Sequence, residues 1–157
     1  MSGSGGLHEY FHVGIVVPDL DAAKARFTEL LGTEWGPVME AEIQVRDGDG
    51  NDLVVPNRMC YSTHAPYLEL IQEVPGTPWV CNEHSNLHHI GFFSGDLVAD
   101  SGHLRAAACP LELMDGHGDG PPGAFAYHRD PLGVRVEVLN ADMRSMMEEY
   151  LFRPPAS

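Results

Sequence analysis

Residues 87–97 read LHHIGFFSGDL, and residues 11–20 read FHVGIVVPDL, a near copy. Setting His12 on His89 places Val13 on Ile90, Gly14 on Gly91, Ile15 on Phe92, Val16 on Phe93, Asp19 on Asp96 and Leu20 on Leu97. This is an internal repeat. Each copy is an apolar run interrupted by one imidazole at the same place, followed by a turn signal and an Asp-Leu that opens a helix. An imidazole inside a strand of Val, Ile and Phe costs desolvation free energy unless something binds it. Two at matched positions point to a shared partner.

Outward from the first copy, residues 8–17 are expected as a strand closed by Pro18, which ends sheet pairing. Asp19 then caps a helix to about Leu31, with Leu20, Ala23, Phe27, Leu30 and Leu31 at helical spacing and Gly32 as the stop. Extended pieces at 36–46, 52–62 and 66–74 complete a βαβββ order, and RDGDGND at 46–52 marks the hairpin between the first two. Residues 75–86, PGTPWVCNEHSN, carry no periodicity and form the connector between halves, with Trp79 expected to pin it to the core. The second copy opens an equivalent order: strand 87–94, helix 96–108, and strands 111–114, 124–129 and 134–139, with DPLG at 130–133 as the last turn.

The expected fold class is therefore α+β, one domain over 1–157 built from βαβββ modules at 8–74 and 86–140. A terminal helix within 141–152 carries Met143, Met146, Met147, Tyr150 and Leu151 on one face, expected as core packing; the alternative is a Met-lined lid or subunit contact.

Each half ends in an apolar strand interrupted by a glutamate, YLELI at 67–71 and RVEVL at 135–139. Alternate side chains of a strand share a face, so Leu68 and Leu70 point opposite to Glu69, and Val136 and Val138 opposite to Glu137. A carboxylate set among such neighbours needs a cation, a metal or several donors. If the repeat relates the halves by a pseudo-twofold, His12, Glu69, His89 and Glu137 converge. Imidazoles and carboxylates together make a mixed nitrogen and oxygen set suited to zinc, nickel, cobalt, manganese or iron, with positions left for water or substrate. Arg135 shares a face with Glu137 and is the rival partner for that carboxylate.

Composition narrows the partners. The 157 residues include 9 basic and 23 acidic side chains, a formal net charge of -14. Phosphate backbones and anionic lipid are repelled at long range, which disfavours nucleic acid and membrane surfaces, though not an anionic small molecule held locally. No apolar run approaches the roughly 20 residues that span a bilayer, and no charged-then-apolar leader is evident. MSGSGG at 1–6 is expected as a disordered tail. Cys60, Cys81 and Cys109 are odd in number and lack a CxxC spacing, so buried thiols in a cytoplasmic protein are expected rather than disulfides or a zinc knuckle.

Over residues 8–139 the chain resembles the vicinal oxygen chelate superfamily, which includes glyoxalase I, methylmalonyl-CoA epimerase, extradiol dioxygenases and bleomycin-resistance proteins. The HVGIVVPDL and HHIGFF openings, the two βαβββ orders and the DPLG then VEV close carry the resemblance. It implies paired modules curled into an open cup around a divalent metal, with His12, Glu69, His89 and Glu137 on the family's ligand positions. A His, Glu, His, Glu set is most similar to bacterial glyoxalase I, while LHHIGFF is close to the epimerase style; methylmalonyl-CoA epimerases usually carry Gln where this chain has Glu69. The resemblance leaves open whether the cup forms within one chain or across a dimer, and a homodimer is expected.

The reading that follows is a metal-dependent isomerase or lyase that removes a proton next to a carbonyl of a small-molecule substrate. The metal acts as a Lewis acid for the charge that develops on the substrate oxygen, Glu137 is the first candidate base and Glu69 the second. Glu40 and Glu42 are weaker candidates, expected as solvated carboxylates. One of Tyr127 and His128 is expected to face the cup, to donate a proton or orient the substrate. The alternatives are an Fe(II) dioxygenase on His12, His89 and Glu137, and a binding protein that sequesters a small molecule without turnover. Arg58, Arg129 and Arg135 are the central cations to consider for a phosphate-rich carrier, against surface pairing. His64, His84, His88, His103 and His117 are expected as surface or loop histidines.

Overall fold

The computed structural model describes residues 9–116 and 118–154. The expected tail at 1–6, the first residue of the expected opening strand, His8, and the assignment of His117 to the surface lie outside the described residues. The element order is β1 (Glu9–Val17), α1 (Leu20–Leu31), β2 (Met39–Asp47), β3 (Asp52–Tyr61) and β4 (Tyr67–Gln72), then β5 (Leu87–Ser94), α2 (Leu97–Ala106), β6 (Leu111–Asp115), β7 (Phe125–Arg129) and β8 (Arg135–Asn140). A 3-10 turn (Ala141–Met143) and α3 (Arg144–Tyr150) follow. The order is βαβββ twice, an α+β fold.

Local chemistry explains the boundaries. The Asp19 carboxylate accepts from the Ala22 amide at 2.9 Å and opens α1. Gly32 closes it at φ 67°, its N–H donating to the Thr28 carbonyl. Asp96 repeats the opening for α2 by accepting from the Ala99 amide at 3.0 Å. That helix, expected over 96–108, stops at Ala106 because Ala108 takes the left-handed turn at φ 63°, and the amides of Ala107 and Cys109 both donate to the Leu104 carbonyl. In the first hairpin the Asp47 carboxylate accepts from the amides of Asp49 and Asn51 and from the Asn51 side chain. In the last, Asp130 accepts from the Leu132 amide.

The chain forms two compact units that do not follow its halves. Among the described residues, one comprises 9–11, 43–55, 89–116 and 118–143; the other comprises 12–42, 56–88 and 144–154.

In the His12 unit, β1 runs parallel to β4, with Gly14 opposite Glu69, and β4 runs antiparallel to β3, with Tyr61 opposite Glu69. One face of these strands packs on α1 through Val17, Leu20, Trp35, Cys60 and Leu70, with Ala23, Phe27 and Leu68 against them. Leu30 and Leu31, at helical spacing in the sequence, are 58% and 64% exposed, so the buried stripe of α1 is narrower than its apolar pattern. Trp79 is buried and holds the connector: its carbonyl accepts from the Val74 amide at 2.8 Å. His88 is buried too, not a surface histidine, with Nε2 at 2.8 Å from the Pro78 carbonyl. The terminal face is also narrower than expected: Met147, Leu151 and Phe152 are buried, whereas Met146 and Tyr150 are 40% and 59% exposed.

In the His89 unit, β5 runs parallel to β8, with Gly91 opposite Glu137, and β8 runs antiparallel to β7, with Tyr127 opposite Glu137. β7 pairs antiparallel with β6, and β6 pairs with the end of β2, Val45 opposite Asp115. The α2 face holds Leu97, Met114, Ala126 and Val138.

Candidate metal centre

Strand alternation that sends Leu68 and Leu70 to α1 turns Glu69 to the other face of β4. There it meets His12, whose Nε2 lies 3.1 Å from Oε2 of Glu69, and both residues are buried. The same logic turns Glu137 away from Val138 and α2, and Nε2 of His89 lies 3.1 Å from Oε2 of Glu137, both again buried. Each unit therefore carries one buried imidazole–carboxylate pair of the same length. A buried carboxylate costs several kcal/mol unless paired and hydrogen-bonded, and a cation shared by the imidazole nitrogen and the carboxylate oxygen would supply that compensation.

The repeat reaches further than histidine and glutamate. Tyr61 stands opposite Glu69 on β3, its ring edge-on to His12 with centroids 5.5 Å apart. Tyr127 stands opposite Glu137 on β7, its ring tilted against His89 at 4.9 Å. Both tyrosines are buried. Gly14 and Gly91 occupy the matching positions of the parallel strands and are buried beside the two glutamates in register. A side chain there would share the carboxylate's face. Of these, sequence reasoning singled out Tyr127 alone. Tyr61 ends a strand of apolar residues, MCY, and reads as core; the glycines' repeat match was the available signal, with no role attached to it.

His128 goes the other way. It shares the α2 face with Ala126, and it is fully buried. Its Nδ1–H donates to the Cys109 carbonyl at 3.0 Å, and its Nε2 accepts from the Ser101 hydroxyl at 2.8 Å. Burial, the largest influence, pushes its pKa below the ordinary value. Of the adjacent pair Tyr127 and His128, the tyrosine is the one beside a candidate ligand.

The remaining candidates are tied elsewhere. Arg135 forks onto Glu112, with Nη2 at 2.9 Å from Oε1, and Arg129 approaches the same carboxylate at 3.7 Å. Arg58 reaches Asp21 at 3.1 Å, Glu40 at 3.3 Å and the Gln72 side-chain oxygen at 3.2 Å. Glu40 and Glu42 are exposed. The cysteines are free thiols, and burial pushes that of Cys60 up to about 12, which keeps it unreactive.

The donor sets suit a divalent ion. Nitrogen and oxygen ligands bound at about 2.1 Å and at a right angle lie about 3.0 Å apart, against about 3.4 Å at the tetrahedral angle. The 3.1 Å of each pair is close to the right-angle spacing.

A family model described as the glyoxalase/bleomycin resistance protein/dioxygenase superfamily matches residues 11–117. The chain belongs to this superfamily. Several solved structures share its fold. A methylmalonyl-CoA epimerase in complex with methylmalonyl-CoA and ammonium is 20% identical with a TM-score of 0.58, covering 86% of this chain and 95% of its own. The methylmalonyl-CoA epimerase of Mycobacterium tuberculosis is 20% identical at 0.57, covering 89% and 92%. A variant epimerase of Streptomyces coelicolor in complex with 2-nitronate-propionyl-CoA is 20% identical at 0.59, covering 86% and 95%. At these identities the likeness is one of fold. Comparison with curated proteins finds no match. Among the described residues no helix is long and apolar enough to cross a membrane.

Proposed function

We propose that this member of the superfamily is a metal-dependent isomerase or lyase that removes a proton next to a carbonyl, of the epimerase–glyoxalase kind. The observation that carries the reading is the repeated motif: a buried imidazole and a buried glutamate 3.1 Å apart, with a tyrosine on the imidazole, once in each unit. His12, Glu69, His89 and Glu137, each offering one ligand atom, would hold a divalent first-row ion such as Zn, Ni, Co, Mn or Fe. When bound, that ion supplies Lewis acidity at the substrate oxygen.

The chain's own residues supply the proton chemistry. Glu137 takes the proton from the acidic carbon onto a carboxylate oxygen, and Glu69 serves as the second base when the proton returns on the other face. His12 and His89 stand beside the two carboxylates and would share the ion with them. The Tyr127 hydroxyl positions the substrate or returns a proton, and its ring fixes the plane of His89. His128 takes no part, being hydrogen-bonded to Ser101 and Cys109 on the α2 side. A dioxygenase site needs only two histidines and one carboxylate; a Glu69 paired like Glu137 favours the isomerase reading over it.

The substrate class is a compound with an acidic carbon beside a carbonyl, either a 2-methyl acyl thioester or a thiohemiacetal of a 2-oxo aldehyde. Solvent deuterium exchange with the metal-loaded protein tests this. Incorporation at the acidic carbon of either compound without oxygen uptake is the expected result. No exchange with any of them, or stoichiometric oxygen consumption, would overturn it; absence of any bound metal would favour a binding protein.

A further inference from the structure

We propose that the segment following α3 is one wall of this site, and that Phe152 sets how large a substrate group is admitted beside His12 and Glu69. The inference rests on the metal reading above and adds the residue that determines specificity on that side.

Alternation on β3 and β4 sends Cys60 and Leu70 to α1 and leaves Tyr61, Tyr67 and Glu69 on the opposite face, the face of His12. Phe152 lies on that face. Its ring stacks on Tyr67, centroids 4.5 Å apart and planes 25° apart, and meets Tyr61 edge-on at 5.4 Å. Tyr61 in turn meets His12 edge-on. One line of aromatic contacts thus runs from Phe152 through Tyr61 to a candidate metal ligand.

The segment is held firmly enough to act as a wall. The amides of Leu151 and Phe152 both donate to the Met147 carbonyl, at 2.8 and 3.0 Å, tying the segment to α3. The Leu151 carbonyl lies directly on Gly36, where a Cβ would sit 1.8 Å from that oxygen, so the approach requires glycine. Gly36 is itself anchored by donating its amide to the Tyr61 carbonyl at 2.8 Å. Stacked aromatic rings with few rotamers resist displacement. On this proposal the stack restricts the substrate group beside His12 and Glu69 to a compact one, such as a 2-methyl or 2-oxo group, and removal of the Phe152 ring admits an aryl group.

Hydroxamates, which chelate metal ions without turning over, read this directly. The probes are acetohydroxamate and benzohydroxamate, titrated into the Co(II)-loaded full-length protein and followed by the cobalt absorption spectrum. Wild type is expected to bind acetohydroxamate several-fold more tightly than benzohydroxamate. Phe152→Ala should erase or reverse that preference, Phe152→Leu should retain part of it, and the exposed Tyr150→Ala should leave it unchanged. Should Phe152→Ala unfold, Gly36→Ala displaces the same segment from its other anchor and is expected to shift the preference likewise. Equal preferences in wild type and Phe152→Ala, with cobalt bound, would overturn this inference and leave the metal reading standing. Failure of wild type to bind cobalt would remove both.

Discussion

Glu137 and His128 stand on neighbouring strands, β8 and β7, yet strand alternation gives them opposite faces and different chemistry. Substituting Glu137→Gln keeps the shape and removes the base; deuterium exchange should fall by roughly 100- to 10,000-fold, with circular dichroism unchanged and metal affinity reduced. His128 answers to pH instead. Its folded-state pKa lies below the ordinary 6.5 because burial disfavours the charged ring. The unfolded chain therefore takes up a proton near 6.5 that the folded chain accepts only at lower pH, so stability is lost as pH falls below that value. His128→Gln should flatten this dependence, read as the change in urea midpoint between about pH 8 and about pH 5. The four candidate ligands were legible because alternation in a strand can be read directly from its residues. Tyr61 and His88 were not, because a tyrosine at a strand end and a histidine after a loop look the same in sequence whether buried or exposed.

At the level of elements, both helices open on an aspartate after the repeated strand, and both caps form as the sequence indicates. They close differently. Gly32 takes the left-handed turn without a Cβ, whereas Ala108 takes it with one, at a cost of roughly 1 kcal/mol. Ala108→Gly should offset that cost, partly cancelled by the freedom glycine adds to the unfolded chain. A rise of up to a few degrees in Tm is the expected outcome by thermal melts. The true end of α2 was hidden because Pro110 fixes where a helix must have stopped but not how its last turn is built. The buried face of α3 was hidden for a related reason. Its methionines recur at helical spacing, but the face is set by the chain's turn into Leu151 and Phe152, which periodicity does not describe.

For the whole molecule, the proposed function places a divalent ion on acidic and imidazole donors of a chain whose net charge is -14. A divalent ion that binds only the folded state stabilises it by mass action, about 4 kcal/mol at a thousandfold excess over Kd. Zinc, nickel or cobalt should therefore raise Tm, and a chelator should reverse the rise; Glu69→Gln and Glu137→Gln should each weaken the effect. The architecture was legible from two matched decapeptides, but the way the compact units cut across it was not. β2 is the instructive case: residues 45–47 hydrogen-bond to residues 113–115 of β6, far beyond the connector. A gene broken at that connector would give one fragment whose longest hairpin ends in unsatisfied backbone amides and carbonyls, a template for self-association. The N-terminal fission product of this protein should thus self-associate when made alone, and any exchange of halves with a relative has to preserve the fit of β2 to β6.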